Sequence, residues 1–123
     1  YGRVPPENMW ANMEGRLVFK NAVERMIQAL MKAFQDQQLT MDDVDLFLFH
    51  QANLRINEYI AKQIGIPEDK VLNNIMRYGN TTAATLPILL AEAERGGRLK
   101  PGDKVAMCAF GSGFTWGSAI VDW

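Results

Sequence analysis

The chain has 123 residues, 48% hydrophobic and 22% charged, with a formal net charge of −1 and no run of like charges. That is material for one soluble domain with a real core, and it offers no electrostatic footprint for nucleic acid or an anionic membrane surface. A single cysteine, Cys108, excludes an internal disulfide and a stapled secreted scaffold, and no apolar stretch approaches the roughly 20 residues of a membrane helix.

A cytoplasmic protein is the expectation, with no signal segment at its start. Tyr1-Gly2-Arg3-Val4-Pro5-Pro6 opens without an initiating Met and reads as the continuation of something longer, so a fragment is expected. From Gly15 onward Phe19, Val23, Met26, Ile27, Leu30 and Phe34 recur three or four apart, with Gln28, Lys32 and Gln35 on the other faces. This spacing predicts a long amphipathic helix. Leu39 to Asp43 is turn-like, with Thr40 and Asp43 placed as a capping pair. The apolar run Val44 to Phe49 then predicts a buried strand ending at His50. Ile56, Tyr59, Ile60 and Ile64 share the face of a second helix that begins near Asn53 and stops at Gly65 and Pro67.

Val71 to Ile75 is too short to assign to a strand or a helix. Tyr78 to Thr82 is a polar turn into a third helix, Ala83 to Arg95, whose first half is small or apolar on every side and so calls for burial all round. Pro87 is tolerable there only because it lies in the opening turns. Gly96-Gly97 ends the helix and Pro101-Gly102-Asp103 turns the chain. Lys104 to Phe110 and Thr115 to Trp123 read as two strands joined through Gly111-Ser112-Gly113. The order is α-β-α-(β)-α-β-β, without repeats or linkers. It predicts a single α/β unit with helices on both faces of a mixed sheet.

His50 is the only histidine, and the strand before it would deliver it to the carboxyl edge of the sheet, where open α/β sheets bind ligands. A hydrogen-bonded residue at a strand end is the plain alternative. Asn53 reads as the N-cap of the second helix. Asn80, in Gly79-Asn80-Thr81-Thr82, either caps the third helix or donates a hydrogen bond into a water-excluding site. Gly111-Ser112-Gly113 fails as a dinucleotide loop, because Gly117 comes one residue late and no helix follows. It is either a plain hairpin with a bulge or a loop that brings a backbone N–H against a ligand carbonyl. Cys108, among apolar neighbours, reads as an inert core thiol. No second histidine or clustered carboxylates accompany His50, so no metal site is expected. Arg55 and Lys62, on one side of the second helix, are either a solvated face or a surface for an acidic partner.

Together and in order, HQANLR (His50 to Arg55), YGNTTAAT (Tyr78 to Thr85) and FGSGFTWGSA (Phe110 to Ala119) resemble the C-terminal half of β-ketoacyl-acyl-carrier-protein synthase III. Met13 to Phe19 resembles it too, so nearly the whole chain is covered. The resemblance implies a thiolase-like αβα half-domain with a mixed five-stranded sheet. It makes residues 1–123 the C-terminal domain of a condensing enzyme whose nucleophilic cysteine lies in an N-terminal half absent from this chain. The reaction implied is decarboxylative Claisen condensation of an acyl group from acyl-CoA with malonyl-acyl-carrier protein, in fatty acid or related biosynthesis.

Carried over by position, His50 and Asn80 would donate hydrogen bonds to the malonyl thioester carbonyl, each worth about 3 kcal/mol as enolate charge develops. The Ser112 backbone N–H would serve the oxyanion hole, Asn53 would order the site, and Arg55 would lie at the carrier-protein and CoA docking surface. Ser112 departs from the glycines common in this loop; the backbone donor survives, and the added side chain bears on the shape of the acyl pocket. Acyl-CoA, acyl-carrier protein, the N-terminal half and a second copy in a homodimer are the implied partners, with no cofactor or metal. Two other readings stand beside this one: a Cys-His-Asn hydrolase built from Cys108, His50 and Asn80, and a non-catalytic structural or partner-binding half.

Overall fold

The computed structural model describes residues 13–123, so the Tyr1 to Pro6 reading lies outside the described residues. Helix α1 (Gly15–Gln37) buries Ala22, Met26, Leu30 and Phe34, one residue per turn, which is the face its spacing predicts. Gln38 stops it in the left-handed conformation at φ 56°, and Leu39 N–H closes on the Phe34 carbonyl at 3.0 Å. The expected capping pair forms: Asp43 Oδ2 accepts from both the N–H and the hydroxyl of Thr40, at 2.7 Å each. Those two bonds hold the Asp43 carboxyl below its ordinary pKa.

Strand β1 (Leu46–Phe49) is buried throughout, and its alternating side chains divide the core in two. Phe47 and Phe49 pack with Met26, Leu30 and Phe34 of α1 and with Ile56 and Ile60 of α2 (Leu54–Ile64). Leu46 and Leu48 pack on the opposite face with Leu89 and Ala93 of α4 (Thr85–Arg95). A strand covered on both faces must read as a continuous apolar run, and this one does. The sheet order is β2-β1-β3-β4, with β2 (Val71–Leu72) and β3 (Lys104–Gly111) parallel to β1 and β4 (Thr115–Asp122) antiparallel on the edge. Helices lie on both faces of this mixed sheet, as expected.

The expected five strands are four among the described residues. The fifth came from the resemblance alone, and no further described segment has a strand pattern. Val71 to Ile75 gives only the two residues of β2 before the chain turns into the single-turn helix α3 (Ile75–Tyr78). Asn80 therefore follows the single-turn helix α3.

The third predicted helix begins with a 3₁₀ turn at Thr82–Ala84 before α4 proper. Pro87 sits third in α4, where its missing N–H deprives the helix of nothing. Thr85, Leu89 and Ala93 are buried against the sheet, whereas Ala83, Ala84 and Pro87 are exposed. Burial is one-sided rather than all-round, because the described chain supplies only one layer for this helix to pack on. Among the described residues no helix is long and apolar enough to cross a membrane.

Candidate functional site

β1 ends by delivering His50 to the carboxyl edge of the sheet, where its N–H bonds the Cys108 carbonyl of β3 at 2.9 Å. The ring is half-buried, and burial pulls its pKa below the ordinary imidazole value, so the neutral form is favoured. Nδ1 lies 2.6 Å from the Thr85 hydroxyl at the start of α4. Asn53 caps α2 as predicted, its Oδ1 accepting the Arg55 N–H at 3.0 Å.

Asn80 reaches the same edge on a braced segment. Asn74 Nδ2 donates to Glu92 Oε2 at 2.8 Å, the Tyr78 hydroxyl donates to Glu92 Oε1 at 2.7 Å, and Arg77 pairs with the same carboxylate. Hydrogen bonds from Tyr78 and Asn74 hold the Glu92 carboxyl below its ordinary pKa. Gly79 then reverses the chain at φ 67°, a conformation costly for any residue with a Cβ. Asn80 Oδ1 accepts the Thr82 N–H at 2.9 Å. Its Nδ2 donors have no intrachain partner among the described residues.

Ser112 lies at the tip of the β3–β4 connection, where the Thr115 hydroxyl donates to its carbonyl at 3.2 Å. Gly113 holds φ 141°, and a Cβ there would stand 3.1 Å from Thr115 Cγ2 and 3.2 Å from Thr115 N, so the turn demands glycine. The rings of Phe110 and Phe114, 5.0 Å apart, pack across the loop.

These pieces converge. A cavity of about 720 Å³ is lined by His50, Asn53, Asn80 and Ser112 on one side and by Leu17, Val18 and Met26 of α1 on the other. A second cavity of about 380 Å³ lies against Thr85, Trp116 and Gly117. His50, Thr82, Phe110 and Gly111 belong to both walls, so His50 stands between the two spaces. Of the five predicted site residues only Arg55 stays outside, exposed on α2 and in neither wall. Imidazole, amide and backbone donors around a largely apolar cavity suit a carbonyl oxygen that gains negative charge; in the described chain Asn80 and Ser112 are exposed and His50 is half-buried.

Cys108 takes no part. It is 1% exposed beneath α1, its Sγ–H points at the Met26 carbonyl 3.5 Å away, and burial pushes its pKa up to about 12. The thiolate that a hydrolase would need is not formed at neutral pH. Iodoacetamide at pH 8 should leave Cys108 unmodified in the folded protein and alkylate it in denaturant; rapid modification of the native chain, read by peptide mass, would contradict this burial.

Two residues that the sequence reading left without a role support the site, although Gln51 lines neither cavity. Gln51, fully buried, spends its side chain entirely on backbone and amide groups: Nε2 donates to Phe49 O (2.8 Å) and Asn73 Oδ1 (3.1 Å), and Oε1 accepts from Asn74 N (3.0 Å) and Ile75 N (3.1 Å). It thereby ties the strand end that carries His50 to the segment that carries Asn80. Thr85 is the other, and a hydroxyl among otherwise apolar helix positions was the available signal.

A family model described as 3-oxoacyl-[acyl-carrier-protein (ACP)] synthase III C terminal matches residues 34–123. The β-ketoacyl-[acyl-carrier-protein] synthase III of Clostridium tetani is 45% identical over 117 residues, which is 95% of this chain and 35% of that protein. The crystal structure of the β-ketoacyl-[acyl-carrier-protein] synthase III of Thermus thermophilus superposes with a TM-score of 0.88 at 44% identity, over 91% of this chain and 35% of that one. For the 3-oxoacyl-[acyl-carrier-protein] synthase III of Aquifex aeolicus the TM-score is 0.89 at 40% identity, covering 91% and 36%. The chain thus spans about a third of the length of the curated relatives it matches.

Proposed function

The chain belongs to the 3-oxoacyl-[acyl-carrier-protein] synthase III C-terminal family, and we propose that residues 1–123 are the C-terminal domain of an enzyme performing decarboxylative Claisen condensation. The substrates are an acyl-CoA and malonyl-acyl-carrier protein, without a cofactor. The observation that carries this reading is the meeting of His50, Asn80 and Ser112 in the wall of one cavity. The relatives' names and the thiolase-like fold support it.

In this reading a cysteine outside this chain attacks the acyl-CoA thioester, the CoA thiolate leaves, and an acyl-enzyme remains. His50 Nε2–H and Asn80 Nδ2–H donate to the thioester carbonyl of the malonyl group. When the carboxylate carbon departs as carbon dioxide, its bonding electron pair becomes an enolate whose oxygen those two donors stabilise. The enolate carbon then attacks the acyl carbonyl. The resulting tetrahedral oxyanion takes a hydrogen bond from Ser112 N–H, and the cysteine thiolate leaves as the new carbon–carbon bond is kept. Asn53 orders the wall beside His50, and exposed Arg55 serves the docking of the carrier protein or CoA. The exposed apolar side of α4 packs against the N-terminal half, and the enzyme works as a cytoplasmic homodimer.

Intact-mass measurement of the natural protein after incubation with short and medium acyl-CoAs tests this. A stoichiometric acyl adduct is expected that maps outside this chain and is discharged by malonyl-acyl-carrier protein. An adduct on Cys108, or none, would move the reading to hydrolysis or to a non-catalytic half respectively.

A further inference from the structure

We propose that Glu92 is the positioning residue that sets where Asn80 stands, by clamping both ends of the helical turn before it. That turn, α3, is four residues long and buries none of them, so neither helix cooperativity nor an apolar contact holds it in place. One carboxylate of α4 holds its two ends instead. At the N-terminal end Asn74, only 4% exposed, makes no side-chain cap to α3 and donates Nδ2 to Glu92 Oε2 at 2.8 Å. An asparagine at a helix N-cap is thus turned away from the bond its type usually makes there. At the C-terminal end the Tyr78 hydroxyl donates to Glu92 Oε1 at 2.7 Å, while Arg77 donates to both that hydroxyl and the same carboxylate oxygen. Three donors converging on one group require an acceptor without protons of its own, which an ionised carboxylate supplies.

Asn80 follows Tyr78 across Gly79, whose φ of 67° makes it the bend between the clamped turn and the site. Downstream, Asn80 Oδ1 accepts the N–H of Thr82, in the 3₁₀ turn that leads into α4. Both sides of Asn80 are therefore tied to one helix, upstream through Glu92 and downstream through Thr82. The two ties do different work. The Thr82 bond engages the amide oxygen and leaves Nδ2 for the cavity that Asn80 lines. The Glu92 clamp decides where along that wall the amide sits, because without it the turn can pivot at Gly79 while the Thr82 bond survives. The catalytic consequence rests on the condensing reading, in which Asn80 Nδ2 donates to the malonyl carbonyl.

The test uses the substrate-free natural protein labelled with ¹⁵N-asparagine, with the Asn80 side-chain amide signals assigned by their loss in Asn80→Ala. Glu92→Ala is expected to shift and broaden those signals. Tyr78→Phe, which removes one hydroxyl from an exposed ring, should shift them by less. In the same variants kcat for malonyl-thioester decarboxylation should fall about 10- to 100-fold in Glu92→Ala and about 2- to 10-fold in Tyr78→Phe, with KM and acyl loading unchanged, since a misplaced donor costs rate rather than binding. The double variant should fall no further than Glu92→Ala, because both substitutions open one clamp. A brace with a structural role only would lower Tm and leave the Asn80 signals where they are. Wild-type Asn80 signals in Glu92→Ala would overturn the assignment, as would equal losses in loading and decarboxylation; if Glu92→Ala does not fold, wild-type signals in Tyr78→Phe overturn it on their own. Because the spectrum is read without substrate, it decides the assignment whether or not the acyl adduct forms.

Discussion

In the natural protein, His50→Ala should slow malonyl-thioester decarboxylation about 10²- to 10³-fold while acyl loading from acyl-CoA proceeds. The magnitude is that of removing one preorganised donor from a developing oxyanion in a dry site, about 3 to 4 kcal/mol. In the proposed mechanism loading would be spared, because it would use a nucleophile outside this chain and the Ser112 N–H, which the substitution does not touch. Asn80→Ala should act on the same step with a similar loss. The double variant should fall short of the product of the two, since both side chains serve one oxygen. Burial lowers the His50 pKa, so the ring should titrate below the ordinary imidazole range. Protonation leaves an N–H on both ring nitrogens. A donor therefore survives it, and decarboxylation should show no acid limb at the ring's pKa, whereas a general base would produce one. Equal losses in loading and decarboxylation would remove His50 from the role assigned to it.

Much of this framework is legible in the sequence because it repeats. The 3.6-residue recurrence in α1 and α2, and the apolar run of β1, mark elements long enough for a period to show. Val71 to Ile75 defeats that reading: two strand residues and the start of a one-turn helix have no period to detect. The fifth strand had no residues behind it, only a likeness. The apolar first half of α4 predicts cover on every side, whereas the described chain covers one face; a sequence records the demand and not the supplier. In the site, His50 is visible because a strand must end somewhere and ends on a histidine. Gln51 is invisible because its partners are backbone N–H groups 23 and 24 residues further on, a relation that no local pattern encodes. Thr85 shows only as a hydroxyl among apolar helix positions, a signal that names no partner. Arg55 shows the opposite limit: its docking role is implied by likeness alone, and the described residues show only an exposed side chain outside both cavities.

Gln51→Leu should be among the most damaging single changes in the chain, lowering stability by about 2 to 6 kcal/mol. Leucine fills a similar volume, so the cost is polar rather than steric. It would strand the N–H groups of Asn74 and Ile75, which Oε1 now satisfies, and would remove the donors to Phe49 O and Asn73 Oδ1. Each buried group left without a partner costs about 1 to 3 kcal/mol, and two stranded backbone donors alone give the quoted range. Gln51→Glu should fare no better, because a carboxylate keeps the acceptor but cannot donate, and it would place an uncompensated charge where the present side chain is fully buried. The loss should also be local. Hydrogen exchange followed by mass spectrometry should show protection falling first in the peptide containing Asn74 and Ile75, then in the Gly79 to Thr82 turn they support. Decarboxylation should fall with it, since Asn80 loses its fixed position. Asn80→Ala supplies the contrast: the same catalytic loss with exchange at Asn74 and Ile75 unchanged. Unaltered protection there in Gln51→Leu would mean that the link between the His50 strand and the Asn80 segment is carried by the Glu92 brace instead, and Glu92→Gln would then be the substitution that loosens both.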